Sequence, residues 1–360
     1  MNKKKVAIVS FSLGKGGAER FAGLLTFMLE KSDFEVHSII VNNDVDYKYD
    51  GFLFNLEKES ANSLSFFKKL RKGKLLRNYL VHNKIDIVID SRPRNHLIRE
   101  LITKLIYRDS KVYYIVHSYN FGDYFPSSKF WSRILYKNAA ALVCVSKAIE
   151  EKAKQLFEFK NLLTIYNPFF IADEEFKKEA LATQQVILYF GRLDDKVKNF
   201  TLMLDAFSQS KIYEKGYLLH LMGAGDDVAL IQKKIAALNL KEYVEVFPFK
   251  QNPCDEVSKA KFTILTSQYE GFPLSIVESL ALGTPVIAVD CNSGPKEIIQ
   301  NECNGLLVEN HNPKALAEAM NRFADDNELY NFCKKNAAES VKHLSLKNIS
   351  EQWKSLLNRQ

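Results

Sequence analysis

The sequence predicts an α/β protein built from two doubly wound, Rossmann-like domains. Short apolar runs typical of buried parallel strands alternate with helical patterns along most of its 360 residues. The alternation stops in a polar, acidic stretch after Ile165-Tyr166-Asn167-Pro168 and restarts at Val186–Phe190. We therefore expect a first domain at residues 1–166, a second at 167–342 and a terminal helical segment at 343–360.

The composition is that of a globular protein, with 46% hydrophobic and 26% charged residues. Five cysteines lie far apart without a C-x-x-C pair, which indicates reduced thiols rather than a disulfide framework. No run of about 18 apolar residues is present, and the first residues lack a signal-peptide pattern. These features predict a cytoplasmic location.

Positive charge is concentrated in the first half of the chain. Residues 1–165 carry 28 Lys and Arg against 17 Asp and Glu, whereas the remainder carries 22 against 26. This asymmetry predicts an anionic partner for the first half, either a membrane surface or a nucleic acid. Residues 65–83 form a basic amphipathic segment. Two interpretations stay open for it: a helix lying on anionic lipid at the inner face of the cytoplasmic membrane, or the solvated face of a helix packed on the sheet.

The first domain begins with a strand followed by a glycine-rich loop. Its predicted strands are Val6 to Ser12, Val36 to Val41, Ile85 to Asp90, Lys111 to Val116 and Ala141 to Val145. We expect Ala141 to Val145 to be the last strand of the domain. The loop contains Gly14, Gly16 and Gly17, but Glu19 stands where a dinucleotide-binding fingerprint requires a third glycine. A nicotinamide dehydrogenase is therefore disfavoured, although the glycines still allow close approach to a ligand.

Polar loops follow the strands at the edge of the sheet where ligands bind in open α/β folds. Arg92 and Arg94 are candidates for contact with an anionic acceptor such as a lipid diphosphate. His117 directly follows a strand, which favours a functional role over a structural one. The Asp44-Val45-Asp46 triplet lies in a polar loop, so we expect an ordinary loop there and no metal site.

In the second domain, the chain is organised around residues 269–278. They connect two apolar segments, Phe262 to Leu265 and Val286 to Val289, through a helix whose first residue we expect to be Pro273. The N–H groups of Leu274 and Ser275 would then point out of the helix start, beside the positive end of its dipole.

Two carboxylates, Glu270 on the approach loop and Glu278 inside the helix, flank these donors. A pocket with free N–H groups and two carboxylates suits a ligand that carries both phosphate and hydroxyl groups, such as a nucleotide sugar. The alternative is an ordinary βαβ crossover whose glutamates face solvent.

Residues 270–278, EGFPLSIVE, resemble the E-x7-E signature of retaining glycosyltransferases of family 4 (glycosyltransferase group 1), which have the two-domain GT-B fold. Similar signals follow in order along nearly the whole chain. The resemblance implies a catalytic set of His117, Arg192, Lys198 and Glu270. It implies donor contacts from Gly16, Gly17, Arg192, Lys198, Gly223, Lys250, Glu270, Gly271, Phe272, Pro273, Leu274, Ser275 and Glu278. Lys196 competes with Lys198 for the diphosphate contact.

The same resemblance implies two domains that face across a cleft, with the final helix crossing back onto the first domain. The first domain would bind a saccharide or polyprenyl-diphosphate-linked saccharide acceptor, and the second a nucleotide sugar. A UDP-sugar is expected from its frequency in the family. Transfer would proceed with retention and without a required metal or cofactor, in the synthesis of envelope polysaccharide, lipopolysaccharide or capsule.

Two other functions remain as alternatives. A nucleotide-sugar 2-epimerase would have the same fold and would turn over a nucleotide sugar without an acceptor. A noncatalytic nucleic-acid-binding protein would explain the basic first half and predicts salt-dependent binding. The sequence has no interleaved aromatic and basic RNA-binding motif, so we expect no nucleic-acid partner.

Overall fold

The computed structural model describes residues 3–14, 16–61, 65–169 and 185–359, with only the backbone of residues 65–67. The chain divides into two compact units: Met1–Pro168 together with Leu346–Gln360, and Phe169–Ser345. The stretch predicted to be a linker falls mainly at residues 170–184, outside the described residues.

The first unit contains a parallel sheet with helices on its connections. The described strands are β1 (Lys5–Ser10), β2 (Glu35–Ile40), β3 (Phe52–Asn55), β4 (Ile87–Asp90), β5 (Lys111–Val116), β6 (Ala141–Cys144) and β7 (Leu162–Thr164). The helices are α1 (Gly17–Glu30), α2 (Leu56–Glu59), α3 (Ser65–His82), α4 (Leu97–Ile106), α5 (Phe121–Tyr124), α6 (Lys129–Tyr136) and α7 (Lys147–Phe157). The strand order is β3-β2-β1-β4-β5-β6-β7, and the direction of winding reverses between β1 and β4.

Two strands of this unit were not predicted. The prediction that residues 141–145 form the last strand of the first domain is wrong, because β7 follows and pairs in parallel with β6. Both β3 and β7 are edge strands of three or four residues, and their side chains are mostly not fully buried. Such short segments lack the continuous apolar run that marks a buried strand.

The second unit repeats the arrangement. Its described strands are β8 (Val186–Phe190), β9 (Leu218–Met222), β10 (Val244–Phe247), β11 (Phe262–Leu265), β12 (Val286–Asp290) and β13 (Gly305–Glu309), in the order β10-β9-β8-β11-β12-β13. Its helices are α8 (Asp195–Lys198), α9 (Phe200–Ser210), α10 (Val228–Ala237), α11 (Cys254–Lys259), α12 (Leu274–Ala281), α13 (Pro295–Ile298), α14 (Pro313–Asp325) and α15 (Asn327–Ser340). Winding reverses between β8 and β11. The two parallel sheets confirm the predicted fold class.

The last helix, α16 (Leu346–Asn358), packs on α1 of the first unit, as predicted. Its Trp353 is fully buried with its ring centroid 6.2 Å from that of Phe21. The Ser350 hydroxyl donates to the carbonyl of Met28 at 3.1 Å. Burial of one apolar stripe fixes this helix to the first sheet's helical layer. Among the described residues, no helix is long and apolar enough to span a bilayer.

Candidate active site

The carboxyl edge of the second sheet gathers the loops that follow β8, β9, β11 and β12. The loop after β9 lies against the loop after β8: a Cβ atom on Gly223 would stand 1.8 Å from the carbonyl oxygen of Gly191. The backbone N–H of Leu193 donates to the Ala224 carbonyl at 2.9 Å. Only glycine fits at position 223, so the close approach of these two loops depends on it. Ligands of open α/β sheets bind at such an edge, beside the reversal between β8 and β11.

Lys198 and Glu270 form an ion pair across this reversal. The Lys198 ammonium donates to Glu270 Oε1 at 2.5 Å, and the Ser267 hydroxyl donates to the same oxygen at 2.6 Å. The side chains of Lys198 and Glu270 are only 16% and 11% exposed. Lys196, the competing candidate, is exposed, whereas Lys198 is partly buried.

The backbone around Lys198 is held by the loop after β11. The Thr266 hydroxyl donates to the Lys198 carbonyl at 2.8 Å, and the Gln268 N–H donates to the Val197 carbonyl at 2.8 Å. The ion pair is therefore positioned by main-chain hydrogen bonds between two neighbouring loops. With the backbone fixed in this way, the ammonium and the carboxylate can each contact a charged ligand in place of one another.

Helix α12 starts beside this pair. It begins at Leu274 with Pro273 as its N-cap, one residue later than predicted. In the described part of the chain, the N–H groups of Leu274 and Ser275 have no protein acceptor, as expected for the first residues of a helix. Glu278 lies in the second turn and is 7% exposed, so it does not face bulk solvent. The helix start thus offers hydrogen-bond donors next to two shielded carboxylates.

The loop after β12 supports the turn that leads into α12. The Ser293 hydroxyl donates to the Gly271 carbonyl at 2.8 Å. Gly294 has φ +98°, and a Cβ atom there would come 2.3 Å from Cδ of Pro273. Phe272 is buried. Sequence reasoning did not identify Ser293 or Gly294 as supports of the site, because their partners lie in another loop. It also missed Ser267, although its partner Glu270 is only three residues away in the same loop.

Two other predicted donor contacts, Arg192 and Lys250, lie in loops of the second sheet and outside the ion pair. Arg192 follows β8, with its side chain 65% exposed and 3.7 Å from Asp194. Lys250 follows β10 and pairs with Glu256 on α11. Both cations are therefore accessible to an anionic ligand at modest energetic cost, since exposed ion pairs contribute little.

In the first unit, His117 follows β5 at the sheet's carboxyl edge. Its Nε2 lies 2.7 Å from the Ser91 hydroxyl, and its buried Nδ1 has no partner among the described residues. Burial lowers the pKa of His117 to about 3, with the Arg94 cation adding to the effect. The imidazole is neutral at ordinary pH and is packed edge-on against Phe21 at 5.3 Å between ring centroids.

A neutral His117 makes a prediction for stability. Because its folded-state pKa lies below the usual 6.5, protons bind the unfolded chain first and stability falls as pH drops below about 6.5. In urea unfolding, we expect His117→Gln to lose less stability than the wild type between pH 7 and pH 5, by up to about 2 kcal/mol. Equal losses in the two proteins would show that the imidazole titrates normally.

The structure places Arg92 and Arg94 differently from the prediction. Both are buried, at 9% and 0% exposure. Arg92 pairs with the fully buried Asp90 at 2.6 Å, while Arg94 donates to the carbonyls of Asp90, Arg92 and Ile115. Tyr114 lies within cation–π distance of Arg94 at 5.0 Å. These guanidinium groups tie strand ends together, so we no longer assign them to acceptor binding.

The glycine-rich loop of the first unit packs against the loop that contains Asp44-Val45-Asp46. A Cβ atom on Gly14 would stand 1.8 Å from Oδ2 of Asp44, and Leu13 pairs with Val45 in a parallel bridge. Gly16 has φ +150°, and Gly17 opens α1. Among the described residues, no group of three or more His, Cys, Asp or Glu is arranged to hold a metal ion.

Comparisons with known proteins agree with this fold. Residues 171–340 match the family described as "Glycosyl transferases group 1". The chain is 28% identical over 358 residues to "N-acetylgalactosamine-N,N'-diacetylbacillosaminyl-diphospho-undecaprenol 4-alpha-N-acetylgalactosaminyltransferase" of Campylobacter jejuni subsp. jejuni serotype O:2, covering 94% of this chain and 95% of that protein. 

Among solved structures, a mutant of S. aureus TarM in complex with fondaparinux, alpha-GlcNAc-glycerol and UDP is similar with a TM-score of 0.82 at 15% identity, covering 100% of both chains. Anabaena HepE in complex with UDP is similar with a TM-score of 0.75 at 17% identity, covering 98% of this chain and 99% of that chain. These likenesses show the fold, which is the GT-B fold of glycosyltransferases.

The two parallel sheets therefore have the GT-B fold, and the second unit carries both the E-x7-E segment and the family match. Nearly all of the second unit matches the group 1 glycosyltransferase family, and the C. jejuni relative is similar along almost the whole chain. The predicted resemblance to this family and the predicted glycosyltransferase class are confirmed, and the epimerase and nucleic-acid-binding alternatives are not favoured.

Proposed function

We propose that this glycosyltransferase moves a sugar from a UDP-sugar to a saccharide or polyprenyl-diphosphate-linked saccharide, with retention at the anomeric carbon, in the synthesis of envelope glycans. The observation that carries the proposal is the shielded Lys198–Glu270 pair beside the start of α12. The names of the relatives support the substrates. The C. jejuni relative is named for a diphospho-undecaprenol-linked acceptor, and the TarM and HepE structures contain UDP.

In this proposal the second unit binds the donor through its diphosphate. As the bond from the anomeric carbon to the leaving oxygen breaks, negative charge develops on the UDP diphosphate. Lys198 turns from Glu270 to this charge, Arg192 contributes a planar guanidinium, and the N–H groups of Leu274 and Ser275 donate from the helix start. These groups act where charge develops, so they lower the barrier rather than only the dissociation constant of the donor.

The carboxylates bind the hydroxyl groups of the donor. Once Lys198 contacts phosphate, Glu270 accepts hydrogen bonds from the sugar hydroxyls while Ser267 holds its orientation. Glu278 accepts from the ribose hydroxyls, and Gly223 and Lys250 border the nucleotide. Gly271, Phe272 and Pro273 complete the turn that shapes this pocket.

For the first unit, we propose acceptor binding. His117 is a neutral hydrogen-bond partner for a sugar hydroxyl, since its Nδ1 is free to accept or donate according to tautomer. Gly16 and Gly17 let the backbone approach the ligand closely. The leaving diphosphate takes the acceptor proton, so the proposal requires no protein base, metal or cofactor. It places the enzyme in the cytoplasm, in contact with the inner membrane face and without nucleic acid.

Binding of UDP tests the donor site. We expect calorimetry to show that UDP binds the wild type and that Glu278→Gln weakens binding by roughly 10–100-fold, the equivalent of one charge-assisted hydrogen bond of about 1.5–3 kcal/mol. Glu318→Gln, on an exposed position of α14, is the matched control and should bind UDP as the wild type does. Absence of UDP binding by the wild type, or equal affinity in the Glu278 variant, contradicts the proposed donor site.

A further inference from the structure

Helix α4 of the first unit presents its apolar side chains to solvent and its polar ones to the protein. Ile98 and Leu105 are 74% and 66% exposed, whereas Glu100 and Thr103 are 2% and 4% exposed. A helix packed on a sheet normally does the opposite, burying its apolar stripe. The inverted orientation leaves a continuous apolar face without a partner in the described part of the chain.

The neighbouring helix α6 also exposes large apolar side chains. Phe130 and Trp131 are 65% and 38% exposed, and Lys104 on α4 donates to the Ile134 carbonyl on α6 at 2.8 Å. We define the α4–α6 patch as six apolar side chains, Ile98, Leu101, Ile102, Leu105, Phe130 and Trp131, each at least 38% exposed. An exposed cluster of large apolar and aromatic groups marks an interaction surface.

Buried polar contacts fix the orientation of α4. The Tyr136 hydroxyl donates to Glu100 at 3.4 Å, and Arg99 donates to the same carboxylate at 3.3 Å. Burial raises the pKa of Glu100, followed by the nearby Asp90 charge, while Arg92 opposes the shift. Rotating α4 to bury Ile98 would move Glu100 out of this polar cluster. The exposure of the apolar face is therefore a stable property of the fold.

The charge around the patch is positive. Residues 97–137 carry seven Lys and Arg against three Asp and Glu, one of which is the buried Glu100. Two copies of this surface would repel each other, which argues against self-association through it. A mixture of Trp, Phe, Ile and Leu among Lys and Arg is the pattern of a surface that lies in the headgroup region of an anionic bilayer.

We propose that the α4–α6 patch docks on a bilayer of anionic phospholipid, with its apolar side chains at the boundary between headgroups and acyl chains. This surface differs from residues 65–83 (mainly α3), for which lipid contact was one of the two interpretations left open by the sequence. There Lys68 and Lys72 are engaged by Glu57, although the exposed Lys69 and Arg71 add attraction next to α4. The biological role of docking rests on the proposed function: α4 begins at the carboxyl edge of the first sheet, where it brings the acceptor-binding loops to a lipid-linked acceptor.

Vesicle binding by the full chain tests the surface. We expect the wild type to pellet with vesicles of phosphatidylglycerol and phosphatidylcholine. The double variant Ile98→Glu/Leu105→Glu should bind these vesicles about tenfold more weakly or worse, because carboxylates oppose insertion beside anionic lipid. The matched control is Leu230→Glu with Phe332→Glu, two residues of the second unit that are 51% and 55% exposed. Phe130→Glu is a second, independent variant on the patch.

Tryptophan fluorescence gives a direct readout, because the chain has two tryptophans and Trp353 is fully buried. Anionic vesicles should shift the emission of Trp131 to shorter wavelength and protect it from acrylamide. A salt-resistant part of the binding should remain at high ionic strength, where exposed charges are screened beyond about 3 Å at 1 M.

Several outcomes overturn the inference: no vesicle binding at low salt, equal binding by patch and control variants, or a wild-type dimer that the patch variants dissolve without any effect on vesicles. UDP calorimetry of the patch variants distinguishes failure of the docking surface from failure of the proposed function. Loss of vesicle binding with UDP binding intact supports the surface, whereas a wild type that binds UDP but not vesicles removes the surface and leaves the donor site standing.

Discussion

Replacement of Lys198 by alanine should lower kcat for sugar transfer by about 10²–10³, equivalent to roughly 2.7–4 kcal/mol of transition-state stabilisation. Lys198 is the cation that the structure holds at the reversal between β8 and β11, 2.5 Å from Glu270. Since the charge on the departing diphosphate develops as the glycosidic bond breaks, removal of this cation should act more on kcat than on the KM for the donor. Steady-state transfer assays with a UDP-sugar measure both.

The chain supplies close controls for this variant. Lys196→Ala removes an exposed cation two residues away and should leave turnover within about twofold, as expected for a surface position. Lys198→Arg retains the charge and should recover part of the activity, limited by the different geometry of the guanidinium. Stability should change by about 1–2 kcal/mol at most, because Glu270 keeps its hydrogen bond from Ser267. Wild-type turnover in Lys198→Ala would remove the proposed diphosphate site.

The second unit was largely predictable from its sequence. Strands β8, β11 and β12 are buried on both faces along most of their length, so each is a mainly apolar run. Glu270 and Glu278 could be identified because the strand, turn and helix that carry them are contiguous in the chain. The supports of the site were not predictable in this way. Ser293 and Gly294 act on the turn from the loop after β12, a contact that depends on sheet order rather than on sequence spacing.

The environment of Arg92 and Arg94 in the first unit could not be predicted from the sequence. A sequence pattern reveals that Arg92 and Arg94 are charged and follow a strand, which favours a ligand-facing loop. It does not reveal that Tyr107 contacts Arg92, that Tyr114 lies against Arg94, or that the Asp90 carboxylate pairs with Arg92. The amphipathic pattern of α4 likewise predicts a helix but not which face is buried, because that choice is made by the partners of Glu100.

Asp90→Asn should destabilise the first unit by about 3–5 kcal/mol, because it leaves a buried cation without its counter-charge. Asp90 is fully buried and accepts hydrogen bonds from Arg92 at 2.6 Å and from the Tyr107 hydroxyl at 3.0 Å. Asparagine preserves the shape but removes the charge and turns one acceptor into a donor that faces other donors. The measurement is urea unfolding at pH 7. Asp109→Asn, at an exposed ion pair with Arg77, should change stability by no more than about 0.5 kcal/mol.

The pH dependence of the stability difference between the wild type and Asp90→Asn distinguishes a structural role of Arg92 and Arg94 from a role in acceptor binding. Burial alone would raise the pKa of Asp90, but the attraction and hydrogen bonds of Arg92, with a further contribution from Arg94, lower it below its usual value. The folded state therefore binds the proton less readily than the unfolded chain, in which the carboxyl titrates near pH 4. The contribution of ionised Asp90 to the free energy of unfolding is complete above about pH 4 and is lost as the pH falls through the folded-state pKa. The gap between wild type and Asp90→Asn should thus be full at pH 7 and narrow below about pH 4. A variant that is as stable as the wild type at pH 7 but has a raised KM for the acceptor would return Arg92 and Arg94 to the acceptor site.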